Sequence, residues 1–163
     1  MRRNPPEWMG ALEEGKRYSV SSKPIEFMRD TSSALKDHFK PVGLWYACGE
    51  EWVDWLESEM PSWLESVNYI YEVVANLPRI LELDTENDIR AFSKQYGVSE
   101  HWGAVDNIDW KSVGRLCDGI EICPYQWSLR MERETGWYYP WDVASGCIWR
   151  PAGLKSFRLV AKR

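Results

Sequence analysis

Two carboxylates in this chain sit among residues that solubility alone does not explain. Glu121 lies inside "GIEICPY" between Ile120 and Ile122, and Asp142 lies inside "PWDVASG". Side chains alternate between the two faces of a strand, so Glu121 points away from both isoleucines. With the isoleucines in a core, the glutamate faces a cleft or solvent, as a functional acid or as a strand-surface charge. Asp142 has the same two roles open to it, the second being a turn-former whose carboxylate accepts backbone N–H groups. Aromatic residues crowd the neighbourhood: Trp45 and Tyr46 in "GLWYA", then Trp137, Tyr138, Tyr139, Trp141 and Trp149 in "GWYYPWDVASGCIW". Ser145 and Gly146 follow Asp142, and the glycine permits close approach of another group to the backbone. Tyr18, Ser21 and Ser22 in "KRYSVSS" add hydroxyl donors, although Ser-Ser before Lys-Pro is also ordinary turn chemistry. Rings beside Gly and Ser leave polar-edged concavities. Residues 136–146 are therefore expected to line the principal pocket with Trp45 or Tyr46 and Glu121, while Trp149 belongs to the core. The alternative is that Trp137, Tyr138 and Tyr139 only cover a sheet edge.

The elements that must position these residues can be read from periodicity and punctuation. Strands are expected at 16–22, 40–47, 67–75, 79–84, 118–125, 144–149 and 156–162, where apolar, β-branched or aromatic runs lie between turn signals. A helix is expected near 50–59 with a further turn at 62–66, because Trp52, Trp55, Leu56 and Met60 fall at helical spacing and Pro61 interrupts them. Thr85 with Asp88 caps a second helix that Gly97 stops, and a third is expected over 107–117 with Asp109 as its cap. Residues 24–39 hold a short helix or an ordered loop. Residues 1–15, with adjacent prolines and no periodicity, are expected to form a flexible arm ahead of one domain over 16–163. Strands with few helices and no βα regularity indicate an α+β fold with a mixed or antiparallel twisted sheet.

Composition narrows the function classes. The 163 residues fit one domain, with 44% hydrophobic and 28% charged residues. Eleven tryptophans are an excess that suits a dense core or an aromatic-lined site. A net charge of −5 argues against an extended nucleic-acid-binding surface, whose affinity comes from Lys and Arg on phosphates. No apolar run approaches the ~18 residues that a membrane span needs, and the two arginines near the start precede no apolar stretch of the kind that a signal peptide has. Cys48, Cys117, Cys123 and Cys147 include no C-x-x-C, and His38 and His101 lie far from them in sequence, so no metal site is expected. Four reduced thiols in a cytoplasmic protein is the expectation. Walker, dinucleotide, nucleophile-elbow and zincin motifs are all absent. A phosphate site where "GLWYACGEEW" enters its helix is opposed by Glu50 and Glu51, which already satisfy the helix dipole.

The order "YSVSSKPI", "KPVGLWYACGEEWVDWL", "YEV…ILELDTENDIRAF", "DGIEICPYQW" and "WYYPWDVASGCIW" resembles a family of small phage and bacterial proteins over roughly residues 16–150. More distantly it is similar to the ADP-ribosyltransferase superfamily, including RES-type toxins that consume NAD. That resemblance implies an ADP-ribosyltransferase-like fold, with an opening strand carrying Arg or His, here "RYSVSS". It implies an acid or serine on later strands around an aromatic-walled nicotinamide pocket. Carried over, Glu121, or in second place Asp142, stabilises the oxocarbenium-like ribose as nicotinamide leaves. Trp45, Tyr46, Trp137 and Tyr139 stack on NAD. Tyr18 or Ser21 binds the carboxamide, and Ser145 lies beside the acid. The chain lacks the superfamily's His-Gly-Thr, Ser-Thr-Ser and Glu-x-Glu patterns.

Two functions follow. One is NAD-dependent transfer of ADP-ribose to a macromolecule, or NAD hydrolysis. The other is a non-catalytic, phage-encoded binding protein that inhibits a host defence factor, its acidic surface suiting a basic partner or mimicking nucleic acid. Both place the protein in the cytoplasm, that of a bacterial host if it is phage-encoded.

Overall fold

The computed structural model describes residues 7–10, 12–49 and 51–163. Strand β1 (Arg17–Ser21) opens the sheet, the two-residue β2 (Asp37–His38) follows, and β3 (Leu44–Cys48) runs into helix α1 (Glu51–Glu59) and the turn-length α2 (Pro61–Leu64). Next come β4 (Tyr69–Ala75), β5 (Ile80–Glu82), α3 (Glu86–Tyr96), β6 (Gly97–His101), β7 (Ala104–Asp109) and α4 (Trp110–Gly114). The chain ends with β8 (Gly119–Ile122), β9 (Ser145–Ile148) and β10 (Leu154–Lys162). Seven strands form one sheet in the order β10-β4-β1-β3-β9-β8-β5, antiparallel except for the parallel pair β5 and β8. A small second sheet holds β2, β7 and β6. The result is one mixed α+β domain. Among the described residues no helix is long and apolar enough to cross a membrane.

The large sheet is covered on both faces. On the face that carries Trp45, Ile120 and Ile122, a dense cluster gathers Trp110, Trp137, Tyr138, Trp141 and Trp149 with Phe92 and Ile108. Along β1 and β4 the same face buries Tyr18 and Ile70 against Val53 and Leu56 of α1. The opposite face holds a smaller cluster of Tyr46, Val73, Ala75, Ile80 and Ile148. "GLWYA", "YIYEV", "DGIEI" and "GCIW" are all strands, as their patterns require.

The fold departs from expectation at three places. The third expected helix is shorter, because residues 107–109 pair in β7 and bury Ile108, and the Asp109 carboxylate then caps α4 by accepting from the Ser112 N–H at 3.1 Å. Of the expected N-terminal arm, residues 1–6 and 11 lie outside the described residues. Glu7–Met9 is a 3-10 turn whose Met9 is buried with Tyr18 and Leu56.

The third departure is a correction. The expectation of four unpaired thiols fails, since Cys48 and Cys123 form a disulfide 75 residues apart, while Cys117 and Cys147 are free. Both β3 and β8 pair with β9, which begins only at Ser145. Just before β9 the Ala144 carbonyl still accepts the Cys48 N–H at 3.0 Å, and past that contact the ends of β3 and β8 converge, so that Cys48 and Cys123 meet with Cα atoms 6.7 Å apart. No local spacing motif encodes such a meeting. Thiol counting on the denatured, unreduced protein should return two per chain, rising to four after reduction; four before reduction would contradict the pairing.

Candidate functional site

A transverse row of residues builds the site. Tyr46 on β3, Gly146 on β9 and Glu121 on β8 are direct cross-strand partners, so their side chains share one face. Gly146 is the gap in that row. A Cβ there would lie 2.4 Å from the Tyr46 ring and hydroxyl and 2.8 Å from the Ile120 carbonyl. Without it, the Tyr46 ring crosses β9 and its hydroxyl donates to Glu121 Oε2 at 2.7 Å. Arg17, at the start of β1, lies on the same face opposite Cys48. Its guanidinium forks onto the carboxylate, Nε to Oε2 at 2.5 Å and Nη2 to Oε1 at 2.8 Å.

The electrostatics follow from burial. Glu121 is only 5% exposed, and a charge so placed needs a paired cation and hydrogen-bond donors. Arg17 supplies the cation in the bidentate geometry that suits a carboxylate, and its own pKa is raised, chiefly by the hydrogen bond to Glu121. Tyr46 is fully buried, and burial first and then the adjacent Glu121 charge push its phenol far above the ordinary tyrosine value. It stays a neutral donor.

Outside this row the site opens into a cleft of about 300 Å³, lined by Lys16, Arg17, Gly49, Glu51, Glu121, Pro124 and the Cys48–Cys123 disulfide. Gly49 turns the chain from β3 into α1 at φ +64°, a conformation that glycine adopts readily, and donates its N–H to the Lys16 carbonyl. Cys48, Cys123 and Glu121 place their ligand atoms within 4.8 Å of one another, and no other such group of His, Cys, Asp or Glu occurs among the described residues.

The remaining expected site residues lie elsewhere. Trp45 and Ser145 point to the face opposite Glu121, where Trp45 meets Trp141 edge-on and Ser145 donates to the Val143 carbonyl. Trp137 is fully buried in the aromatic cluster, its indole N–H on Ser93 Oγ at 3.1 Å. Tyr139 is half-exposed with Arg130 over its ring, and Arg130 also pairs with Asp142 at 3.1 Å. Asp142 sits at φ +61°, and burial raises its carboxyl pKa. Tyr18 faces the α1 side, and its hydroxyl accepts the Glu13 N–H. Ser21 closes a turn onto Lys23. Of segment 136–146, Ala144 lines the Glu121 cleft.

Of the expected residues, then, the fold brings Glu121 and Tyr46 together. Sequence reasoning named none of Arg17, Cys48 and Cys123 as site residues, although the resemblance implied an Arg or His on the opening strand. Arg17 had a signal: a glutamate between two core isoleucines requires a cation, and the opening strand begins with one.

Gly146→Ala should force the Tyr46 ring off Glu121 and cost about 1–3 kcal/mol of stability, the usual range for overpacking; urea unfolding reads it, and an unchanged midpoint would contradict the packing described. Comparisons of the chain with protein-family models, curated proteins and solved structures find no match.

Proposed function

We propose that this protein cleaves the bond between nicotinamide and ribose in NAD at the Glu121 cleft, passing ADP-ribose to a macromolecule or to water. One observation carries this reading: an arginine of the opening strand and a glutamate of a late strand meet at one open cleft. The resemblance to ADP-ribosyltransferases implies an arginine and an acid on those strands.

In this reading the C1′–N bond breaks with its electron pair leaving on nicotinamide, and positive charge develops on the ribose. A carboxylate fixed beside that charge lowers the barrier electrostatically, and Glu121 is the group placed to do so. The nucleophile, water or an acceptor group, then bonds to C1′ and gives its proton to solvent. Arg17 has a second use, because a guanidinium fork binds phosphate as well as carboxylate. An incoming pyrophosphate draws it from Glu121 and frees the acid. Tyr46 is a positioning residue, holding Oε2 through its hydroxyl. Trp45 and Trp137 take no stacking role here, since they lie on the far face. The cleft is at the small end of ligand pockets, about 300–1,000 Å³, so it seats nicotinamide and its ribose while the adenosine end lies outside. The setting is a bacterial cytoplasm.

A non-catalytic binding role is favoured by a different feature. Trp102 is 93% exposed at the turn between β6 and β7, which leaves its ring open to contact with a partner.

Incubation with NAD decides between them. The expected result is nicotinamide release that falls about 100-fold or more in Glu121→Gln, with the far-UV circular dichroism unchanged. Arg17→Lys keeps the charge, loses the fork and should raise KM. Turnover unaffected by Glu121→Gln would remove the glutamate from the chemistry. No release from the parent protein, with or without a cell lysate as acceptor, would overturn the enzyme reading.

A further inference from the structure

The Cys48–Cys123 bridge lies in the same cleft as Glu121, and this juxtaposition reaches beyond NAD chemistry. We propose that the reduced chain binds one thiophilic divalent cation, of the Zn²⁺ class, through Cys48, Cys123 and Glu121. The three ligand atoms already lie within 4.8 Å of one another. A tetrahedral zinc with bonds of about 2.0–2.3 Å spaces its ligands about 3.3–3.8 Å apart. The two sulfurs need only part from their bond to reach that spacing, and the cleft gives a cation access from solvent.

Lone-pair accounting shows that Glu121 can serve. A carboxylate has about four acceptor positions. Arg17 Nε and the Tyr46 hydroxyl use Oε2, and Arg17 Nη2 uses one position on Oε1. One position on Oε1 is left for a metal. The charges also balance: two thiolates, one carboxylate and a dication sum to −1, which the Arg17 guanidinium cancels. Three protein ligands leave a fourth position for water or a substrate atom, the pattern of an open zinc site.

Chemically, a dithiol reductant gives two electrons and two protons to the bridge, becoming a disulfide itself and leaving Cys48 and Cys123 as thiols. The cation then takes both as thiolates and releases their two protons to solvent. A disulfide oxidant takes two electrons from the thiolate pair and two protons from solvent to become a dithiol, the bridge re-forms and the dication leaves unchanged, so the disulfide and the metal are alternative occupants of one place. In the cytoplasmic setting proposed above, a disulfide is as a rule a redox-active one, which fits this exchange.

Cobalt reports the site directly. The full-length protein, reduced with a phosphine and titrated with Co²⁺ in the absence of NAD, should develop a thiolate-to-cobalt charge-transfer band saturating at one ion per chain. Zn²⁺ should displace it, and the unreduced protein should give no band. Cys48→Ser and Cys123→Ser should abolish the band, Cys117→Ser should leave it intact, and Glu121→Gln should weaken binding at least about tenfold. In the unsubstituted chain, Zn²⁺ should protect Cys48 and Cys123 from alkylation, mapped by mass spectrometry, so the proposal can be judged even where a serine variant fails to fold. Absence of the band in the reduced chain, its survival in Cys48→Ser, or alkylation unaffected by Zn²⁺ would overturn the proposal. Because NAD is absent, none of these results depends on whether the protein cleaves it.

Discussion

A carboxylate held 5% exposed in the next-to-edge strand of a sheet is the constraint around which this structure is arranged. Such a group must find a cation and donors or give up its charge. Its cation stands on β1, three strands away across β3 and β9. In a flat sheet, three steps of about 4.8 Å would separate the two strands by about 14 Å. The Arg17–Glu121 contact at 2.5 Å therefore requires both side chains to reach inward over a curled sheet. The same curl brings Cys48 and Cys123 together over the end of β9, and the missing side chain at Gly146 gives the Tyr46 hydroxyl its path.

The two faces of the sheet divide the work. The Trp45 face holds the edge-on and tilted rings of Trp110, Trp137, Trp141 and Trp149, whose indole N–H groups all find acceptors on neighbouring chain segments. Such burial supplies most of the favourable free energy of folding. The Glu121 face holds a smaller apolar cluster and the charged row. Stability and candidate chemistry thus sit back to back, one residue apart along β8, in the alternation of Ile120, Glu121 and Ile122.

That alternation was legible in the sequence, and so were the strands that carry it, because a period of two and a change to helical spacing are local signals. The capping box of Thr85 and Asp88 was legible for the same reason. What was hidden depends on contacts between distant segments: Arg17 meets Glu121 across 104 residues, and Cys48 meets Cys123 across 75. Segment 136–141 shows a subtler limit. Trp137, Tyr138 and Trp141 fall at i, i+1 and i+4, a helical spacing that Pro140 obscures, and they turn inward while Tyr139 stays half in solvent. Ring content alone could not separate a pocket wall from a core.

The account stands on the mutual dependence of Arg17 and Glu121, and a double-mutant cycle in urea measures it most directly. With Arg17→Met, Glu121→Leu and the pair combined, each single variant leaves a buried charge without its partner, whereas the double variant leaves none. The account predicts that the double variant is more stable than the sum of the single losses allows, with a coupling of at least about 1 kcal/mol. Losses that add to within about 0.5 kcal/mol would show that the two residues do not depend on each other and would contradict it.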